Sequence, residues 1–307
     1  MSAARRARAA AVLAVVLLTA VLGCGGEPKV DYAAARDEGA LVVYVGAGED
    51  REILRHVADE LLPDSVRLEL VDAPDDANAQ VSSGAADLAY FQHVPAFEAD
   101  RGQHGYDNLS VVAAVNVVPY GLYSARWRSV AETRSWLNAG LVADDIVGDS
   151  LPHGSRVAMP ATPTGFARGL YLLQSAGLVL LDRPFGGTTA PDLTITQANV
   201  RDSLRHLTLL GISYDEYLDA IYRGYDAVVL NPEQARSLGL EPAKDALALE
   251  PGPQNPYAHV LVAPARLAGD QRVLELTHAL ESPELARFLA TKYRGANIPV
   301  TAASSTR

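Results

Sequence analysis

The sequence predicts an α/β fold of two lobes joined by two crossing segments. Three observations predict it. Short apolar runs alternate with stretches of helical periodicity along the chain, the pattern of helices packed on a mainly parallel sheet. Two further apolar runs, 111–123 and 257–263, stand where the chain would pass from one α/β series to the other and back. Cys24 is the only cysteine of the 307 residues, so no internal disulfide forms and stability rests on buried apolar surface.

The elements follow in order. Leu41-Val42-Val43-Tyr44-Val45 is a short apolar run bounded by glycines and reads as a buried strand. Over residues 50–62, Ile53, Leu54, Val57 and Leu61 recur at helical spacing, and Val66 to Leu70 alternates like a strand. A third helix-then-strand unit runs from Asn78 to Ser83 and from Asp87 to Phe91. Ligands of such sheets bind beyond the carboxyl ends of strands, where glycine-rich 46–48 and Tyr90-Phe91-Gln92-His93 fall. Val111 to Tyr123, interrupted by Pro119, is the first crossing segment. The second lobe then offers a strand over Arg156 to Met159, helices over 165–176 and 197–209, and a strand over Asp226 to Leu230. Tyr257 to Ala263 runs back. Helices over 270–281 and 283–293 follow, with Ser282-Pro283 marking the break between them.

The predicted organisation is a signal peptide over 1–23, a tether over 24–38, lobe 1 from 39–118 plus 260–300, lobe 2 from 119–259, and a tail over 301–307. Arg5, Arg6 and Arg8 precede an apolar run from Ala9 to Gly23. A basic stretch before a short apolar run is a secretory signal, and this run is shorter than the roughly 20 residues a spanning helix needs. Residues 25–38 are small and polar, as a flexible linker is.

Lys and Arg number 26 against 37 Asp and Glu, a net charge of −11. That balance excludes a nucleic-acid partner, which needs a basic stripe. The seven histidines, at 56, 93, 104, 153, 206, 259 and 278, include no pair at zinc-helix spacing. No metal and no cofactor is expected. Gly148-Asp149-Ser150-Leu151 spells a hydrolase motif with Ser150 as nucleophile, but the late Asp-x-x-His that would supply its base is absent. An envelope hydrolase is therefore the second reading. In Phe91-Gln92-His93-Val94-Pro95, an aromatic ring, an amide and an imidazole stand at a strand end. They either line a pocket or pack a strand end, and the string alone leaves both open.

Two resemblances add to this. Val21-Leu22-Gly23-Cys24 resembles the bacterial lipobox, which implies diacylglycerol on Cys24 and cleavage before it. The string FQHVP, followed by Arg101-Gly102, Tyr106 and Asp107, resembles the methionine-binding lipoprotein family, the solute receptors of methionine ABC importers. Further strings agree in order: Val118 to Ser124, Pro160 to Thr164 with Arg168, Leu172 to Leu178, Asp226 to Asn231, Lys244 to Glu250, Asn255 to Ala258 and Lys292 to Ala296. The resemblance spans residues 41–300. It implies a periplasmic binding protein of type II-like architecture, not an enzyme. Its ligand would be an amino acid (methionine, a related compound or a short peptide), its partner an ABC permease, and its place the outer side of a membrane.

The same resemblance implies which residues hold the solute. Arg168 matches an arginine of the family, and a guanidinium is the natural bidentate partner of an α-carboxylate; a surface ion pair is the alternative. Asn231 matches an asparagine that holds the polar end of the ligand, or it simply ends its strand. Tyr90, Phe91, His93 and Tyr123 match positions that enclose the side chain, or they are ordinary core. Ala161 and Gly165 replace family asparagines, which removes two polar partners. The stretch 134–154 is longer than the family's connection. A binding-fold lipoprotein that serves adhesion or signalling is the third reading.

Overall fold

The computed structural model describes residues 39–130, 150–187, 189–214 and 217–300. The expected signal peptide, tether and tail, the lipid site at Cys24, and most of the stretch 134–154 lie outside them. No described helix is long and apolar enough to cross a membrane.

Two sheets carry the structure. The first contains β1 (Leu41–Val45), β2 (Leu68–Asp72), β3 (Leu88–His93), β4 (Leu109–Val117), β12 (His259–Pro264) and β13 (Ile298–Pro299), in the order β13-β4-β12-β3-β1-β2. The second contains β5 (Gly121–Tyr123), β6 (Arg156–Pro160), β9 (Thr208–Ile212), β10 (Ala227–Leu230) and β11 (Ala248–Leu249), in the order β11-β5-β10-β6-β9. Strand β7 (Val179–Leu181) pairs with β8 (Val200–Ser203) in a separate ribbon.

The expectation of mainly parallel sheets needs correction. Pairs β1–β2, β1–β3, β10–β6 and β6–β9 are parallel, while β4, β5, β11, β12 and β13 all pair antiparallel. The antiparallel members are the strands that flank the crossings, and the strand β13 that closes the chain. The first crossing is at Val118–Tyr120, between β4 of one sheet and β5 of the other. Pro119, without an N–H, cannot continue a ladder. The second runs from Glu250 to Ala258, between β11 and β12.

Every residue of β1 is buried, because helices cover both faces of its sheet. Leu41, Val43 and Val45 pack with Ile53, Leu54 and Val57 of α1 (Glu49–His56) and the π-helical turn Val57–Leu61 that prolongs it. Leu276 and Leu280 of α9 (Gln271–Leu280) and Leu285 and Leu289 of α10 (Pro283–Tyr293) complete that core. Val42 and Tyr44 face the other way, onto Ala77 and Val81 of α2 (Ala77–Ser83) and Phe97 of α3 (Val94–His104). The second sheet buries Val157, Met159, Leu209 and Val229 under α4 (Pro163–Ser175). Its other face takes α6 (Leu218–Gly224) and α7 (Pro232–Ser237). Two single-turn helices, α5 (Ala190–Leu193) and α8 (Pro242–Asp245), sit in its connections.

The helix expected over 197–209 does not form. Thr196 caps only a 3-10 turn over Gln197–Asn199, and β8 follows at once. His206 then adopts φ 52°, a left-handed conformation incompatible with a continuing helix. Arg205, 4% exposed, donates to the carbonyls of Leu151 and Val130, so this turn is held by buried hydrogen bonds rather than by helical periodicity.

Two truncations test where the core lies. Leu54→Ala, at a side chain with no exposure, is expected to lower unfolding free energy by about 2–5 kcal/mol. Leu274→Ala, at a side chain 48% exposed on α9, changes it by less than about 0.5 kcal/mol. Urea titration of both variants checks this, and equal losses would contradict the assignment of the core.

Candidate ligand-binding site

Helix α4 brings Arg168 to the crossings. Thr162 starts it: its Oγ1 accepts from the Gly165 N–H at 3.2 Å, and Pro163 occupies the first turn. Gly169 lets the helix approach β6, since a Cβ there would stand 2.8 Å from Met159 Cε. From that position Arg168 reaches both crossings. Its Nε donates to Glu250 Oε1 at 2.9 Å, and its Nη2 donates to Glu250 Oε2 and to the Val118 carbonyl, the latter at 2.9 Å. The Tyr120 N–H donates to the same Glu250 oxygen at 2.9 Å. The rings of Tyr120 and Tyr257 cover the two sides of the guanidinium, with centroids 4.1 and 4.5 Å from Cζ.

The Glu250 side chain is wholly buried, and that of Arg168 is 11% exposed. Burial by itself would lower the arginine's pKa, but the charge and hydrogen bonds of Glu250 outweigh it and hold the group above its ordinary value. The bidentate edge expected to meet a ligand carboxylate is therefore occupied by Glu250. The sequence left a surface ion pair open as the alternative for Arg168; the pair exists but is buried. Nη1 remains, with two N–H groups that meet no acceptor among the described residues.

His93 stands beside this cluster, its ring edge-on to Tyr257 at 5.6 Å and 88°. It ends β3 and caps α3: its Nδ1 accepts from the Ala96 N–H at 3.2 Å. With Nδ1 as acceptor, the neutral ring carries its proton on Nε2, which makes that atom a donor. Burial, then the neighbouring His259, then Arg168 lower its pKa to about 4. His259 faces His93 across the β3–β12 pairing, and its Nδ1 lies 3.0 and 3.1 Å from the two Asp50 oxygens. Gly46 makes room for that carboxylate, because a Cβ there would lie 2.5 Å from Asp50 Oδ2.

The other expected residues are spread around this cluster. Tyr90 is in the core under α1 and α9, and its hydroxyl donates to Asn116. Asn116 donates to Asn297 at 2.8 Å, and Asn297 to Glu49 Oε2 at 3.1 Å. Arg236 on α7 reaches Glu49 Oε1 at 3.3 Å, which joins that hydrogen-bond chain to the second sheet's side. Phe91 is half-buried and packs against the opposite core, under α2 and α3. Tyr123 is buried, its hydroxyl has no partner among the described residues, and its ring leans over Gly121 toward the end of the sheet where Asn231 lies. Asn231 caps α7: its Oδ1 accepts from the Gln234 N–H at 2.8 Å, and Gln234 Oε1 accepts from the Asn231 N–H at 3.0 Å.

A cavity of about 220 Å³ opens beyond the carboxyl ends of β6 and β9, lined by Tyr120, Pro160, Ala161, Thr162, Ile212, Ser213, Tyr214 and Gln234. Tyr120 ties it to Arg168, and Gln234 to Asn231. Ala161 presents only a methyl group to it. Gly165 admits no side chain, since a Cβ would stand 2.6 Å from Pro160 Cβ and 2.7 Å from Thr162 Oγ1. Ser150 forms an isolated backbone bridge to Ser129, and the nearby His153 ring lies 6.1 Å from that of His206. Gly148 and Asp149 lie outside the described residues.

Glu250, Tyr120 and Tyr257 are the partners that the sequence reading did not select. Each lies inside a string already noted for resemblance. The available signal was a lone carboxylate ending the apolar run 246–249, since a carboxylate buried there needs a cation.

The chain matches known proteins over most of its length. A model of the family described as NlpA lipoprotein matches residues 41–138 and 147–301. The gap between them falls inside the stretch 134–154. Lipoprotein 28 of Escherichia coli O157:H7 is 29% identical over 300 residues, covering 96% of each chain. The D-methionine-binding lipoprotein MetQ of Escherichia coli K12 is 28% identical over 281 residues, covering 90% of this chain and 91% of MetQ. A nutrient-binding protein from Burkholderia cenocepacia, solved bound to methionine, superposes with a TM-score of 0.53 at 27% identity, over 84% of this chain and 99% of the other.

The depressed pKa of His93 has a measurable consequence. Between about pH 6.5 and 4 the unfolded chain takes up a proton that the folded ring refuses, so folding stability falls as pH drops through that window and is full above it. His93→Gln is expected to flatten the slope of melting temperature against pH over this range. An identical slope in both proteins would contradict the burial assigned to His93.

Proposed function

Because the chain belongs to the NlpA lipoprotein family, we propose that it is an extracytoplasmic solute-binding lipoprotein that captures an amino acid, methionine or a close relative of it, between its lobes. Lobe 1 is 39–118 plus 260–300 and lobe 2 is 119–259. Lipid on Cys24 holds the protein at the membrane, and an ABC permease receives the solute. The names of the relatives support the ligand class. The observation that carries the reading is the guanidinium of Arg168, set between the two crossings with one donor group open.

In this reading Nη1 of Arg168 takes an oxygen of the α-carboxylate, and the Nε2–H of His93 offers a neutral donor nearby. Asn231 adds its Nδ2 from the mouth of α7. Tyr123 forms part of the wall around the solute's side chain, and Tyr90 and Phe91 support the end of β3 from the cores on its two faces. Ala161 and Gly165 leave the carboxylate end with fewer partners than the family pattern supplies. An unmet buried polar group costs about 1–3 kcal/mol, so the affinity rests more heavily on Arg168.

Thermal-shift screening of the mature domain against free amino acids identifies the solute, and calorimetry then measures its affinity. Arg168→Ala, made together with Glu250→Gln so that no unpaired carboxylate stays buried, is expected to weaken binding at least tenfold, about 1.4 kcal/mol. Unchanged affinity in the double variant, or no melting shift with any amino acid, would contradict the reading.

A further inference from the structure

We propose that Glu250 is the residue that sets the charge class of the solute: it makes the site accept net-neutral zwitterions and refuse net anions. The inference rests on the reading that Arg168 meets the solute.

The argument starts from what is left of Arg168. Tyr120 and Tyr257 close its two sides. Glu250 takes the Nε–Nη2 edge, and the second Nη2 proton goes to Val118. Approach is therefore in the guanidinium plane and at Nη1. There a solute oxygen gains hydrogen bonds but little net charge, because the positive charge is already balanced by a fixed carboxylate on the opposite edge. That carboxylate does not move aside, since it accepts three N–H bonds, from Arg168 Nε, Arg168 Nη2 and Tyr120 N.

Among the described residues no second unpaired cation stands beside Arg168; His259 is engaged with Asp50. His93 is neutral above about pH 4. Glu49 and Asp50, in the first turn of α1, are carboxylates engaged with Arg236 and His259. Arg236 is exposed and engaged with Glu49. A solute with a carboxylate alone would bring an uncompensated negative charge within a few ångströms of Glu250, in surroundings where charges are weakly screened. An amino acid carries its own ammonium and adds no net charge. Glu250 is thus a positioning residue as well: it orients the guanidinium so that only Nη1 points away from protein partners.

Calorimetry on the mature chain tests this with two probes of the same side chain, methionine and its des-amino counterpart 4-(methylsulfanyl)butanoate, which has a net charge of −1. Wild type is expected to bind the des-amino acid at least 30-fold more weakly than methionine. Glu250→Gln is expected to bind the des-amino acid at least tenfold more tightly than wild type does, whereas Glu250→Asp keeps the wild-type order. A purely structural role of Glu250 would move both probes together and leave their ratio unchanged. The proposal is overturned if wild type binds the two acids within threefold of each other, or if Glu250→Gln gains nothing for the des-amino acid. Methionine failing on wild type while Glu250→Gln takes up the des-amino acid would remove the methionine assignment and uphold the role of Glu250. Should Glu250→Gln not fold, the wild-type ratio and Glu250→Asp decide the question.

Discussion

The buried pair between Arg168 and Glu250 is the constraint on which the arrangement of this protein turns. Arg168 belongs to a helix packed on the second sheet, Glu250 follows the last strand of that sheet, and Val118 and Tyr120 stand on the other crossing. A single guanidinium therefore ties both crossings to one helix. Tyr257, at the entry to β12, closes over it from the side of the return segment. A buried ion pair is a poor source of net stability, because desolvation offsets most of the attraction. Its value lies in geometry: a carboxylate with three donors and a guanidinium between two rings have one low-energy arrangement. Residues from both crossings are held in it.

That arrangement also explains the division of labour around the cleft. The polar contacts gather where strands end, with His93 after β3, Asn231 after β10 and the Ala161–Thr162 turn after β6. Each of these side chains or turns also starts a helix, so its position is set by capping geometry rather than by a loop free to move. Further contacts join α8 and α7 to the first sheet's helices: the Ala243 N–H donates to the Arg294 carbonyl at 2.9 Å, and Arg236 pairs with Glu49. The Arg236–Glu49 pair is largely exposed, and exposed pairs contribute between nothing and about 1 kcal/mol.

Much of the fold was legible in the sequence because periodicity reports burial. The run 41–45 is buried on both faces and so is apolar throughout, and α9 and α10 break at Ser282-Pro283 where the cap and the proline require it. The stretch 197–209 was misread because apolar spacing at Val200, Leu204 and Leu207 fits a helix as well as a ribbon. A left-handed turn at His206 and buried bonds from Arg205 decide between them, and neither is a local signal. Within the site, Arg168 and His93 were legible from their surrounding strings. The partner of Arg168 was not, since Glu250 lies 82 positions further on and only the fold brings them together. Gly165 is clear in retrospect: Pro160 and Thr162 leave no room for a side chain.

The central claim is that Arg168 and Glu250 act as one unit. A double-mutant cycle of Arg168→Met, Glu250→Gln and the pair, read by urea unfolding, tests it most directly. Each single change leaves one charged partner buried without its counter-charge, and is expected to cost about 3–5 kcal/mol. The double variant is expected to cost at least about 2 kcal/mol less than the two singles together. Losses that add to within about 0.5 kcal/mol would contradict the account.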